Sequence, residues 1–132
     1  MFRLAILFFL ASAASCLVLD GGEDIYKAVE SVDKAQGVFV HLFVETNSIE
    51  CYRAHVAFQQ LEENLSCGSF VFYRADALRT DTALFGRPTT RKSVFVYIPP
   101  NTLNSPSEWK KYEYEPPLEA NKLHQWAESI IS

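Results

Sequence analysis

The feature that most constrains this chain is a near-continuous apolar run over residues 38–44, which is rich in β-branched and aromatic side chains. Such a run is typical of a strand that is covered on both faces of a sheet. Segments with the apolar spacing of helices lie on either side of it, over residues 23–35 and from residue 48 to about residue 65. A strand between helices indicates an α/β domain.

Shorter segments complete the order β-α-β-α-β-α-β-β-α. Apolar or alternating patterns predict the other strands, and apolar spacing with Gly or Pro at the ends predicts the other helices. These strands are residues 17–19, 70–73, 93–98 and 109–114, and these helices are residues 80–85 and 118–131. We therefore expect a central mixed sheet of about five strands flanked by four helices.

Size, charge and cysteine content narrow the class further. A chain of 132 residues is too short for two ordinary domains. Its net charge of −4, without a basic stripe, predicts no nucleic-acid partner. A disulfide scaffold of this size carries more than the three cysteines present, so the fold must rest on a hydrophobic core.

The first 15 residues have the pattern of a secretory signal peptide. Arg3 supplies the positive charge, residues 4–10 are apolar, and residues 11–15 are small. The alternative is a membrane anchor, which needs about 20 apolar residues and reaches that length only by including residues 17–19. We predict a cleaved signal over residues 1–15 and one domain over residues 16–132, without a membrane span, in the endoplasmic reticulum lumen or secreted.

Four segments follow one another in an informative order. Val18-Leu19-Asp20 is an opening strand, residues 37–44 are the central strand, residues 51–61 lie in the long helix, and residues 70–77 form the next strand. In this order they resemble the thioredoxin-like domain of the protein disulfide isomerase family, over the whole of residues 16–132. The resemblance implies a thioredoxin-like α/β fold.

The resemblance also implies a degenerate active-site motif at Ser48-Ile49-Glu50-Cys51. In the family the first cysteine of Cys-x-x-Cys attacks as a thiolate and the second resolves the mixed disulfide. Ser48 stands at the attacking position and has no thiolate to offer, so only the resolving Cys51 is retained. Without any chemistry, Ser48 is a good helix N-cap and Cys51 a small buried helix residue. Glu50 disfavours a neighbouring thiolate.

Two supporting features of the family are altered as well. Members of the family often have a buried carboxylate on the central strand, which transfers a proton for the resolving cysteine. His41 stands at the matching position here, where it could relay a proton or be a hydrogen-bonded core residue. The family's cis-proline, which exposes backbone to an extended substrate, has no counterpart directly before Val94, and Pro88 lies too early. The resemblance nevertheless assigns a candidate substrate groove to Lys92, Ser93 and Val94.

Other chemistry is sparse. We predict no cofactor and no metal site, because His41, His55 and His124 are far apart and no zinc-type spacing with the cysteines is recognised. Asn64, followed by Leu-Ser, is an acceptor for N-glycosylation in a secreted protein.

Cys51 and Cys67 are not expected to form a disulfide with each other. A helix between them would hold them about 24 Å apart at its usual rise, whereas a disulfide needs Cα atoms within about 7 Å. Cys67 is therefore a candidate for an intermolecular disulfide with a partner.

Three functions fit these observations. The first is a redox-inactive module that is not an enzyme and binds unfolded or partner proteins of the secretory pathway to assist folding. The second is a thiol-disulfide oxidoreductase or isomerase that uses Cys51 alone. The third is a lumenal subunit of a membrane complex, because residues 94–100 resemble a strand of the lumenal thioredoxin-like domain of oligosaccharyltransferase subunits.

Overall fold

The elements of the chain are taken from a computed structural model, which describes residues 18–21, 25–65, 70–80 and 82–131. The predicted signal peptide, Cys16 and Cys67 lie outside these residues. In chain order the elements are β1 Val18–Gly21, α1 Ile25–Glu30, β2 Gly37–Phe43, α2 Ile49–Asn64, β3 Phe70–Asp76, β4 Val94–Ile98, a 3-10 turn Pro106–Glu108, β5 Lys110–Lys111 and α3 Ala120–Ile131.

The five strands form one mixed sheet in the order β1-β3-β2-β4-β5. β3 pairs in parallel with both β1 and β2, β4 runs antiparallel to β2, and β5 runs antiparallel to β4. All seven residues of β2 are buried. The predictions of an α/β fold, of a mixed five-stranded sheet and of a central strand covered on both faces are therefore confirmed.

Alternation along β2 divides the core into two layers, because successive strand side chains point to opposite faces. Val38, Val40 and Leu42 pack on the α1 side with Ile25 and Val29. Phe39 packs on the other side against α2 and α3. The buried partners on that side are Ala54, Ala57, Phe58, Leu61, Phe72, Phe95, Tyr97, Leu118, Leu123 and Ala127.

The long helix α2 positions the predicted motif. Its buried face includes Ala54, Phe58 and Leu61, at the spacing that sequence periodicity predicts. The backbone N–H of Leu65 donates to the carbonyl of Leu61 and ends the helix. Since β2 leads into this helix, the first turn of α2 lies at the carboxyl end of the central strand.

The prediction of a helix over residues 80–85 is wrong. Residues 82–85 form a turn, in which the N–H groups of Phe85 and Gly86 donate to the carbonyl of Thr82 at 2.9 and 3.0 Å. A single turn gains too few hydrogen bonds to offset the cost of helix nucleation, and Gly86 then adopts a φ of 118°. The described residues thus contain three α-helices and a 3-10 turn instead of four helices.

Three further elements are shorter than predicted. Helix α1 spans Ile25–Glu30 instead of residues 23–35, and the N–H of Val32 donates to the carbonyl of Val29 at 3.1 Å in the turn that follows. Only Lys110 and Lys111 of the expected strand 109–114 pair with β4. Trp109 instead turns inward, where its indole N–H donates to the carbonyl of Thr102 at 2.8 Å. The last helix begins at Ala120, two residues beyond the predicted start.

Candidate functional site

Ser48 forms the N-cap of α2, with extended backbone at φ −79° and ψ 154°. Its Oγ accepts a hydrogen bond from the backbone N–H of Cys51 at 3.1 Å and donates one to the carbonyl of Thr90 at 3.4 Å. The first bond satisfies a helix N–H that has no partner within the helix. The second joins the helix start to the loop that precedes β4. The hydroxyl of Ser48 is therefore engaged in structural contacts.

Cys51 lies in the first turn of α2 and is only 6% exposed. Its thiol donates to the carbonyl oxygen of Val44 over 3.9 Å, a long and weak contact. The sulfur thus faces the segment between β2 and α2. A solution thiol or disulfide has little access to it in this conformation.

His41 lies in the middle of β2, fully buried on the side that faces α2. Its ring stacks on Phe95 with centroids 4.7 Å apart, and its Nε2 shares a hydrogen bond of 3.0 Å with the Oγ of Ser93. Burial lowers the pKa of His41 well below its usual value, and the nearby His55 and Arg74 lower this pKa further. The ring is therefore neutral, and within the described residues it makes no hydrogen bond to Cys51.

The candidate groove at Lys92, Ser93 and Val94 has its backbone already engaged. The N–H of Ser93 donates to the Oη of Tyr114 at 2.8 Å. Thr89 and Lys92 exchange two backbone hydrogen bonds, at 2.8 and 3.3 Å. An extended peptide could not use the N–H of Ser93 without displacing Tyr114.

The cis-proline of the family has no equivalent at this place. Among the described residues, the single cis peptide bond joins Pro116 to Pro117, just before α3, whereas Pro88 is a buried loop proline in a trans bond. The gap that separates Cys51 from residues 89–93 is too narrow to hold a water molecule. The motif region is thus closed by side chains and loop.

Two large apolar side chains, one within the motif and one just after it, are nevertheless exposed. Ile49 is 64% exposed and Tyr52 is 69% exposed, both in the first turn of α2. Across the gap, Lys92 lies over the ring of Tyr114 at 5.5 Å. The outer surface of the motif therefore combines apolar side chains with a cation.

Sequence reasoning missed one group of residues that the fold brings together. The ligand atoms of Glu45, Cys51 and His55 lie within 4.8 Å of one another. We call these three residues the Glu45–Cys51–His55 cluster. The spacing Cys51-x-x-x-His55 on a helix was the available signal, since residues i and i+4 share a helix face.

The predicted glycosylation residue lies at the end of α2. Asn64 is exposed, and its Nδ2, the atom that would carry a glycan, shares a hydrogen bond of 3.0 Å with the Nε2 of His124 in α3. Glycan attachment at Asn64 stays a prediction. In the part of the chain that the structure describes, no helix is both long and apolar enough to cross a membrane.

Comparison with known proteins identifies proteins with a similar fold but no relative in sequence. No family model matches the sequence, and no curated protein matches it. Among solved structures, the reduced thioredoxin pre-protein of Schistosoma mansoni has a TM-score of 0.60 at 14% identity, covering 85% of this chain and 96% of that one. Schistosoma mansoni thioredoxin has a TM-score of 0.58 at 15% identity, covering 89% and 97%.

Human ERp44 is a third neighbour, with a TM-score of 0.55 at 12% identity. It covers 95% of this chain, which in turn spans 29% of ERp44. At such identities the likeness concerns the backbone, and the strand order and the helix after β2 agree with it. The chain therefore has the thioredoxin fold.

Proposed function

We propose that this chain is a redox-inactive relative of the protein disulfide isomerases that binds unfolded or partner proteins in the secretory pathway. The observation that carries the proposal is the N-cap of α2. Where the family has its attacking cysteine, Ser48 uses its hydroxyl in two structural hydrogen bonds. A hydroxyl can form neither a thiolate nor a disulfide.

The remaining thiol supports the same conclusion. Thiol-disulfide exchange needs a sulfur that a second sulfur can approach. Cys51 is 6% exposed and lies beside a gap too narrow for water. The oxidoreductase alternative, which would use Cys51 alone, is disfavoured by this burial.

The proposed binding surface is the outer side of the first turn of α2. Ile49 and Tyr52 are the large apolar side chains exposed there. Because the N–H of Ser93 is occupied by Tyr114, we expect recognition through side chains rather than through an added strand. Apolar segments of unfolded chains are the ligands that such a surface favours.

An insulin-reduction assay tests the absence of redox activity. With dithiothreitol as reductant, we expect insulin to be reduced at the same rate with and without this protein. The Cys51→Ala variant should behave identically. A rate enhancement that disappears in Cys51→Ala would refute the proposal and establish the oxidoreductase alternative.

A second assay tests binding. We expect the protein to slow the aggregation of reduced, denatured lysozyme, and the double variant Ile49→Ser/Tyr52→Ser to lose most of this effect. Leu84→Ser is the matched control, because Leu84 is 47% exposed but lies in a turn beside Tyr26 of α1. Equal loss in the control, or no effect of the wild-type protein, would count against the proposed surface.

The Ser48→Cys variant tests whether the lost nucleophile is the cause of inactivity. The Oγ of Ser48 lies 3.1 Å from the backbone nitrogen of Cys51, so a sulfur at position 48 would lie over the helical turn that carries Cys51, at the spacing of a Cys-x-x-Cys pair. Under oxidising conditions we expect the introduced thiol to form a disulfide with Cys51, and we expect some insulin reduction to appear. Labelling of free thiols with intact-mass measurement would detect the pair.

The same mass measurement tests the secretory predictions. On the natural secreted protein, we expect loss of residues 1–15, a glycan on Asn64, and slow labelling of the buried Cys51 before denaturation. A mass that retains residues 1–15 would instead favour the membrane-anchor alternative.

A further inference from the structure

Three side chains with metal-binding atoms converge beside the first turn of α2. The ligand atoms of Glu45, Cys51 and His55 lie within 4.8 Å of one another. Cys51 is buried, His55 is half-buried and Glu45 is exposed. We propose that the Glu45–Cys51–His55 cluster binds one Zn²⁺ ion, with water as the fourth ligand.

The fold orients two of these ligands before any ion is present. Cys51 and His55 lie one helical turn apart on the same face of α2. The His55 ring packs against Phe43 at 4.6 Å and against His41 at 5.2 Å, between ring centroids. The sulfur of Cys51 faces the carbonyl oxygen of Val44 at 3.9 Å. These contacts restrict where the imidazole and the sulfur can point.

Small adjustments would bring the ligands to zinc distances. Zinc bonds of about 2.0–2.3 Å in a tetrahedral arrangement put neighbouring ligand atoms about 3.5 Å apart. The cluster must therefore contract by about 1 Å, and the exposed carboxylate of Glu45 is free to supply most of this movement. Three protein ligands and one open position are typical of tetrahedral zinc sites that retain a water.

The donor set also favours Zn²⁺ over other ions. A thiolate and an imidazole disfavour Ca²⁺ and Mg²⁺, and a carboxylate disfavours Cu⁺. On binding, the thiol of Cys51 loses its proton to solvent, so that the thiolate and the carboxylate together balance the charge of the ion. The site is thus electrically neutral when occupied. It is separate from the protein-binding role proposed above, because neither Ile49 nor Tyr52 is a ligand.

Titration with Co²⁺, a spectroscopic substitute for Zn²⁺, tests the site. In the purified protein we expect one equivalent of Co²⁺ to bind and a thiolate-to-cobalt charge-transfer band to appear in the near ultraviolet. Zn²⁺ should abolish this band by displacing Co²⁺. Cys51→Ser should lack the band, whereas Cys67→Ser should retain it. Absence of the band in the wild-type protein, or its persistence in Cys51→Ser, would overturn the proposal.

Matched variants identify the other two ligands. We expect His55→Gln and Glu45→Gln each to weaken Co²⁺ affinity at least about tenfold. His124→Gln and Glu128→Gln, which alter a histidine and an exposed glutamate of α3 outside the cluster, should leave affinity unchanged. Glu45→Gln is decisive because an exposed side chain can be changed without unfolding the protein. Unchanged affinity in Glu45→Gln, or equal weakening in the two control variants, would refute the three-ligand site.

Discussion

Phe39 and His41 lie on the same face of β2 with one strand residue between them, but the side chains around them differ sharply. Phe39 is surrounded by rings, with centroids at 4.6 Å to Tyr97, 5.4 Å to Phe72 and 5.6 Å to Phe70. At the next position on this face, His41 is equally buried but bonds to Ser93. Apolar packing around Phe39 therefore stabilises the fold, whereas His41 places a titratable group in the same buried layer.

The largest loss of stability is expected at Phe39. Phe39→Ala should lower the free energy of unfolding by about 3–5 kcal/mol, because it removes a fully buried ring and leaves a cavity. This is a large share of the stability of an ordinary domain. Chemical denaturation followed by far-ultraviolet circular dichroism would measure the loss.

Tyr52→Ala serves as the comparison for Phe39→Ala. Tyr52 is also aromatic but 69% exposed, so its removal should change the free energy of unfolding by less than about 0.5 kcal/mol. Similar losses of unfolding free energy in the two variants would contradict the conclusion that buried rings such as Phe39 stabilise the fold.

His41 should make the free energy of unfolding depend on pH. The pKa of His41 is lowered by burial and by His55 and Arg74, so below pH about 6.5 the unfolded chain binds a proton that the folded chain does not. The contribution of neutral His41 is complete above that pH. Between pH 6.5 and 5.5, the free energy of unfolding should fall by up to about 1 kcal/mol. Denaturation curves in metal-free buffer would test this.

Two histidine variants sharpen that test. His41→Leu should remove most of the slope between pH 6.5 and 5.5, since it removes the buried titrating group. His124→Gln, in α3, should preserve the slope, because His124 is not fully buried. A slope that survives in His41→Leu would show that another group causes it.

The smallest effect is expected at the helix cap, which joins the start of α2 to the loop before β4. Ser48→Ala should cost about 1 kcal/mol in the free energy of unfolding, because it removes the acceptor for the N–H of Cys51. The neighbouring Asn47→Ala change, at an exposed residue that makes no cap, should cost less than about 0.5 kcal/mol. An equal cost in both would mean that the cap contributes nothing specific.

Much of the fold was predictable because it depends on local patterns. The run over residues 38–44 predicted a strand covered on both faces, and periodic apolar residues predicted α2 almost to its ends. The helix predicted over residues 80–85 does not form, because Phe85 is buried between Tyr26 and Trp109 in a short turn. Such contacts between distant segments override a weak local preference.

The candidate site was predictable only in part. The sequence alone favoured Ser48 as a helix N-cap and Cys51 as a small buried helix residue, and the structure places them so. The sequence could not pair His41 with Ser93, because 52 residues separate them.

By itself, then, the sequence determined the α/β class and the presence of a serine rather than a cysteine at the start of α2, because apolar spacing and residue identity are local properties. Only the tertiary structure decided that Tyr114 occupies the N–H of Ser93 and that Glu45, Cys51 and His55 converge. Those arrangements depend on how β2, α2 and the segments around β4 pack together, and packing between distant segments is not written in any local pattern.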